Sequence, residues 1–228
     1  MPMFQKKRRG RLIAIEGTDA SGKKTQTELL VKKLRKEKIK CVTFSFPDYS
    51  SKYGKVIRNL LDGKVGDIKD IDPYFFANLY AEDRKLVRQK IEKALQKGIF
   101  VICDRYVMAN LYHVPKFKSR LDQKKFIKWE KFTEYRKNKM PKEDITFLLY
   151  APIEVKRKLI LSRQKKQNRE DSDINERNTR FLDEVQKVFL REARFNSKWK
   201  IIDCSKGEDM LLKEEISDKI FSYVKNWI

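Results

Sequence analysis

Glycines at 17 and 22, with Lys23 directly after the second, constrain this chain more than any other feature. The run Ile13-Ala14-Ile15-Glu16 leads into Gly17, and a helical pattern opens after Lys23. G-x-x-x-x-G-K between a strand and a helix is the spacing of a phosphate-binding P-loop. Glycines let the backbone turn tightly, so that successive N–H groups point inward at phosphate oxygens. The N-terminus of the following helix adds a partial positive charge, and Lys23 adds a full one. A plain glycine turn before a surface helix explains the two glycines alone. It does not explain the apolar run before them or the lysine after. One position is irregular. Such loops usually end Gly-Lys-Ser/Thr, with the hydroxyl on Mg²⁺. Here Lys24 stands in that place and the hydroxyl follows at Thr25. Either the metal is held differently or Lys24 brings a second charge to the phosphates.

The apolar runs imply a five-stranded α/β sheet. Strands are expected at Leu12 to Glu16, Cys41 to Phe46, Ile99 to Cys103, Ile145 to Tyr150 and Trp199 to Cys204. Several are apolar at every position, as strands buried on both faces of a parallel sheet must be. Helical spacing predicts helices from Gly22 to about Lys38 and from Tyr53 to Leu61. A single long helix is expected from Asp72-Pro73, with Asp as N-cap, to about Lys97. One or two basic helices are expected between Phe117 and Lys139, and further helices from about Ile153, from Asn175 to Phe195, and at the C-terminus. Arg163 to Glu176 is polar and highly charged, and reads as a mobile flap. The pattern predicts a parallel sheet covered by helices on both faces. At 228 residues the chain makes one domain, over 11–228, after a loose basic lead-in at 1–10.

Net charge is +22. The basic residues are spread along the whole length, which suits solvated helix faces better than one nucleic-acid surface. A polyphosphate ligand would also be drawn to such a field. Cys41, Cys103 and Cys204 lie far apart in apolar runs and read as core residues in a reducing compartment. No apolar run approaches the ~20 residues of a membrane span, and the basic N-terminus lacks the apolar core of a signal peptide. A soluble, cytoplasmic protein is expected.

Ligands of open parallel sheets bind beyond the C-terminal strand ends. The P-loop, Phe46-Pro47, Asp104-Arg105 and Asp203 all fall there. This set points to phosphoryl transfer, in which a protein mainly positions groups and stabilises charge. Lys23 and the amides of Gly17, Thr18, Asp19, Ala20, Ser21, Gly22, Lys24 and Thr25 would hold the donor. Asp104 would orient Mg²⁺ through water, and the planar fork of Arg105 suits a phosphate. A strand-end ion pair is the plainer reading of Asp104-Arg105. The flap offers Arg163 and Arg169, either of which would stabilise charge on the transferring group on closing.

With these residues in view, the chain resembles the thymidylate kinases, of the P-loop nucleoside monophosphate kinase family. The likeness spans Leu12 to the final helix. It rests on Ile15 to Gln26, Phe46-Pro47-Asp48-Tyr49, Leu79 to Arg84, Asp104 to Asn110, Asp173 to Glu176 and Ile202-Asp203, in that order. The resemblance implies ATP-dependent phosphorylation of dTMP to dTDP with Mg²⁺, and a homodimer. It implies that Asp19 contacts the dTMP sugar hydroxyl, with a possible metal contact besides. Arg105 would hold the acceptor phosphate, Arg84 the thymine edge, and Asn110 the base from the other side. Tyr80 stands where the family usually stacks a Phe on the thymine. Phe46 and Tyr49 would line the same acceptor pocket, and His113 falls where an aromatic packs beside the sugar. Phe76, Tyr80 and Arg84 are spaced by four and share a helix face, which could equally be core.

Departures from the family pattern are Lys24, Asp48 in place of an Arg that touches the acceptor phosphate, Ala109 and Val114. The loop has no basic residue between Thr18 and Ser21, so the resemblance assigns the transition-state arginine to the flap. Two other readings remain at this point. One is a kinase of this fold for another nucleotide or a deoxynucleoside. The other is a non-catalytic basic P-loop protein that binds nucleic acid.

Overall fold

A computed structural model describes residues 9–67, 70–158 and 172–228. Its sheet has five parallel strands: β1 (Leu12–Glu16), β2 (Cys41–Ser45), β3 (Phe100–Asp104), β4 (Ile145–Tyr150) and β5 (Trp199–Asp203), in the order β2-β3-β1-β4-β5. All five lie where the apolar runs placed them. Successive side chains face opposite sides of a sheet, so each central strand must supply two cores. Leu12, Ala14, Val101, Cys103 and Leu148 pack on one side, and Ile13, Ile15, Ile102, Phe147 and Leu149 on the other. The first core is closed by α4 (Arg88–Gln96), α5 (Arg120–Phe132) and α7 (Ser172–Arg194), through Ile91, Leu95, Phe126, Val185 and Phe189. The second is closed by α1 (Lys23–Lys36) and α8 (Lys213–Lys225), through Leu30, Leu34, Ile216 and Ile220.

The long helix expected from Asp72 to Lys97 is instead two. α3 (Pro73–Leu86) starts on the Asp72 cap, whose Oδ1 accepts from the Phe75 N–H at 2.8 Å. It ends at Val87, whose φ of −105° and ψ of 4° lie outside the helical well, and α4 resumes at Arg88. The break has a packing cause. Phe76 and Leu79 of α3 bury against Ile57 and Leu60 of α2 (Lys52–Leu61), whereas Ile91 and Leu95 of α4 bury against the sheet. One straight helix cannot serve both.

The basic helix expected between Phe117 and Lys139 is α5, closed by a π turn at Thr133–Lys137. Two elements had no counterpart in the sequence reading: Val107–Lys116 forms 3₁₀ turns, and Ser205–Lys206 with Asp209–Met210 a small hairpin. Helix α7 begins at Ser172 rather than Asn175, so the expected flap is helical over 172–176. Once an apolar stripe has nucleated a helix, adding polar residues at its end costs little. The rest of the flap, with Arg163 and Arg169, lies outside the described residues, as do residues 1–8 of the lead-in. The lead-in's last residue is anchored: Gly10 donates its N–H to the Leu95 carbonyl at 2.7 Å. A helix, α6, follows β4 and is described over 153–158. No helix among the described residues is long and apolar enough to cross a membrane.

Candidate active site

The chain reverses direction across the sheet at β1, which lies between β3 and β4. The loop after β1 therefore opens at the switch point of the strand order. Gly17 is obligatory there. A Cβ on it would lie 2.6 Å from Ser21 Oγ and 2.9 Å from the Leu149 carbonyl, at a φ of +150°. The loop folds onto itself, with Ser21 N–H donating to the Thr18 carbonyl at 3.3 Å, and α1 starts directly after Gly22 with no side-chain cap. Thr18, Ser21 and Lys23 are buried, and Ser21 Oγ has no partner among the described residues. Buried polar atoms of that kind are expected where an absent ligand would supply the bond.

Lys23 donates to the Thr18 carbonyl at 2.8 Å. Burial, and then the Arg105 charge, bring its pKa down to about 8. Arg105, just past β3, holds a left-handed φ of 64°, which aims its guanidinium back across the sheet edge. Its Nη2 donates to Asp19 Oδ1 at 2.6 Å, and its guanidinium lies 5.0 Å over the Tyr112 ring. Asp104 ends β3, and burial raises its carboxyl above the ordinary value despite Lys23 and Arg105. Lys24 is exposed, and with Thr27, Thr43, Ser45 and Asp104 it lines a cleft of about 920 Å³ beside α1. Thr25 is partly buried on α1.

A Mg²⁺ ion asks for one or two hard carboxylates, its remaining positions going to phosphate and water. Asp19 and Asp104 fit this: both carboxylates act on the Lys23 ammonium, where triphosphate charge would gather. No cluster of three or more His, Cys, Asp or Glu side chains suited to a metal exists among the described residues.

On the acceptor side, Phe46 is buried between Phe44 and Tyr106, and Tyr49 is exposed beneath the Arg58 guanidinium, 4.5 Å from its ring centre. Asp48 is committed locally. Its Oδ1 accepts from Ser50 N–H and Oγ, and its own N–H donates to Asp83 Oδ2 at 2.8 Å. Gly54 lets α2 press on this turn, since a Cβ there would lie 1.8 Å from the Asp48 carbonyl oxygen. Tyr80 and His113 meet with ring centres 5.9 Å apart, both against Phe76. Burial pushes the His113 pKa down to about 3, so the ring is neutral and serves packing rather than proton transfer.

Arg84, on the helix face that it shares with Phe76 and Tyr80, is fully buried. Its Nε donates to Glu134 Oε1 at 2.7 Å, and its Nη2 lies 2.6 Å from the same oxygen and 3.5 Å from Glu130 Oε1. Glu130 Oε1 also accepts from Asn110 Nδ2 at 2.8 Å. Burial, and then the Glu134 carboxylate, push Glu130 up to about 8, so the two acids and Arg84 approach neutrality together. The Asp203 carboxylate, by contrast, ties a local turn through Ser205, and its carbonyl accepts from Lys219.

Sequence reasoning missed Glu130, Glu134, Glu16 and Lys156. The two acids had a signal: Phe126, Glu130 and Glu134 are spaced by four, so acids interrupt an apolar stripe. Glu16 is fully buried, its Oε1 accepting from the Tyr106 N–H at 2.7 Å. Lys156 of α6 carries no local signal that sets it apart from the other lysines. It is buried, and its ammonium donates to Thr18 Oγ1 at 2.7 Å and to Gln186 of α7. Burial lowers its pKa to about 8.

The family model for thymidylate kinase matches residues 15–216. A probable thymidylate kinase of Methanocaldococcus jannaschii is 30% identical over 218 residues, 94% of this chain and 95% of that protein. A thymidylate kinase of Prochlorococcus marinus is 32% identical over 225 residues, covering 96% and 99% of the two chains. The solved structure of a thymidylate kinase from Candida albicans shares the fold, with a TM-score of 0.70 at 22% identity over 96% of this chain and 92% of that one.

Proposed function

This chain belongs to the thymidylate kinase family, and from that membership we propose that it transfers the γ-phosphoryl group of ATP to dTMP, giving ADP and dTDP. The observation that carries the reading is Lys23, on the phosphate loop, set beside an Asp19–Arg105 pair that joins the ends of β1 and β3. The loop amides from Gly17 to Thr25 take the triphosphate. Lys23 leaves the Thr18 carbonyl for the β- and γ-phosphates, whose charge raises its pKa and keeps it protonated. Arg105 holds the acceptor phosphate, and Asp19, opposite it, orients the sugar hydroxyl. Tyr80 stacks on the base beside His113, Phe46 and Tyr49 wall the pocket, and Arg84 and Asn110 face the polar edge of the base.

Asp104 and Asp19 would hold Mg²⁺, which when bound would neutralise phosphate charge. Arg163 or Arg169, from a lid at about 163–177, supplies the transition-state cation that the loop lacks. The enzyme is a cytoplasmic homodimer. Exposed Val56, Leu61, Phe75 and Leu86 on α2 and α3 support the pairing, and three free cysteines support a reducing compartment.

An acceptor panel with ATP and Mg²⁺ tests this: dTMP, dUMP, dGMP, dCMP and thymidine. dTMP should be the preferred acceptor, and Lys23→Met should lose nearly all turnover. Preference for unphosphorylated thymidine, or turnover retained by Lys23→Met, overturns the reading.

A further inference from the structure

Arg84 and Asn110 lie about one helical turn from Tyr80 and His113, and their polar ends have a fixed direction. Asn110 Nδ2 lies 3.0 Å from the Ala77 carbonyl and 2.8 Å from Glu130 Oε1. Two acceptors on one atom identify it as the NH₂ end and use both of its hydrogens. The end left for a ligand is Oδ1, which can only accept. Arg84 is committed to Glu134 and Glu130 through Nε and Nη2, while its Nη1 is buried with no partner among the described residues. An unpartnered guanidinium nitrogen inside a protein is costly unless a ligand completes it. Toward a base, Asn110 thus offers an acceptor and Arg84 a donor; Glu130 Oε2 and Glu134 Oε2 are likewise buried without a partner among the described residues. Ala77 also holds the Asn110 amide and Glu134 also holds Arg84, but one oxygen, Glu130 Oε1, touches both side chains.

We infer that Glu130 is a positioning residue for base selection, holding Asn110 acceptor-outward and Arg84 donor-outward so that the site takes a pyrimidine with N3–H and a 4-oxo group. This deepens the reading of the site as a dTMP kinase and rests on it. Thymine presents N3–H as donor and O4 as acceptor, which complements the pair. Cytosine presents a bare N3 and a 4-amino group, which meets acceptor with acceptor and donor with donor. Sites that hydrogen-bond a substrate in this way reject the mismatched analogue strongly, because buried groups are then left unpaired. Glu134 keeps Arg84 charged and in place. Glu130 alone reaches both readers.

The test compares kcat/KM for dTMP and dCMP in the wild type, Glu130→Met, Glu130→Asp and Glu130→Gln. Glu130→Met removes one of the two acceptors that hold the Asn110 amide and loosens its orientation, so the dTMP/dCMP ratio should fall by roughly tenfold, the worth of one net hydrogen bond. The loss should sit mainly in KM for dTMP. Glu130→Asp withdraws the oxygen by one methylene while keeping an acid in the network, and should lower the ratio in the same direction; it serves where Met disrupts folding. Glu130→Gln retains an oxygen for Asn110 Nδ2 and should restore the ratio. A purely structural Glu130 would lower both substrates alike, and an unmoved ratio in the Met and Asp variants overturns the role while leaving the dTMP reading intact. A wild type with no preference between the two bases overturns the underlying reading, and this role with it.

Discussion

Glu16 gives the most direct quantitative test of the electrostatics under the loop. Its carboxyl is fully buried, and burial raises its pKa from 4.5 to about 8 against the opposing pull of Arg105, the Tyr106 amide and Lys23. The sign follows from which state holds the proton. Below pH 4.5 both folded and unfolded chains are protonated here, and Glu16 leaves stability unchanged. Between 4.5 and 8 the unfolded chain releases the proton while the folded chain keeps it. Stability then falls by about 1.4 kcal/mol per pH unit, and the loss levels off once the folded group also ionises. At pH 7.5 the accumulated penalty is about 4 kcal/mol. Glu16→Gln removes the titration and little else. Its carbonyl oxygen can still accept from Tyr106, and its NH₂ inherits the place of Oε2, which has no partner among the described residues. Urea or thermal unfolding followed by circular dichroism at pH 5 and pH 7.5 measures the difference. The variant and wild type should nearly coincide at pH 5. At pH 7.5 the variant should be more stable by roughly 4 kcal/mol, or about 8–16 °C in Tm for a chain of this size. A gap that stays constant with pH, or a variant less stable at both, refutes the buried neutral acid.

Two further outcomes follow from neighbouring residues. Lys156→Met takes away the charged grip on Thr18 Oγ1, and kcat/KM for ATP should fall about tenfold while KM for dTMP stays near wild type; steady-state kinetics with each substrate varied checks this. His113→Phe should leave the pH–rate profile between 5.5 and 8 unchanged, because the ring it replaces is already neutral there; a lost acidic limb would show that the imidazole titrates.

The strands were legible because an apolar run closed by Gly, Pro or Asp has few other uses, and Leu12 to Glu16 and Phe100 to Asp104 are such runs. The loop was legible because Gly17 and Lys23 do chemistry at fixed spacing. What stayed hidden was tertiary. Nothing local marks Val87 as a break; the divergence of α3 and α4 toward different cores does. Lys156 sits in a sequence full of lysines, and only the fold separates the buried one from its solvated neighbours. Arg84 showed its face but not its depth, since that depends on Glu130 and Glu134 meeting it from about fifty positions downstream. The 3₁₀ stretch carrying Asn110 and His113 has no clean period to read.

Gly54 has a consequence for how such a pocket can change. With the Asp48 carbonyl where its side chain would begin, no other residue fits at 54 without prying α2 off the turn after β2. Phe46 through Leu61 is thereby fastened into a single plate whose tilt is not adjustable one mutation at a time. Variation in the acceptor wall must come from what projects from the plate, as Tyr49 does, and a designer seeking a larger acceptor would trim projections and leave the hinge point alone.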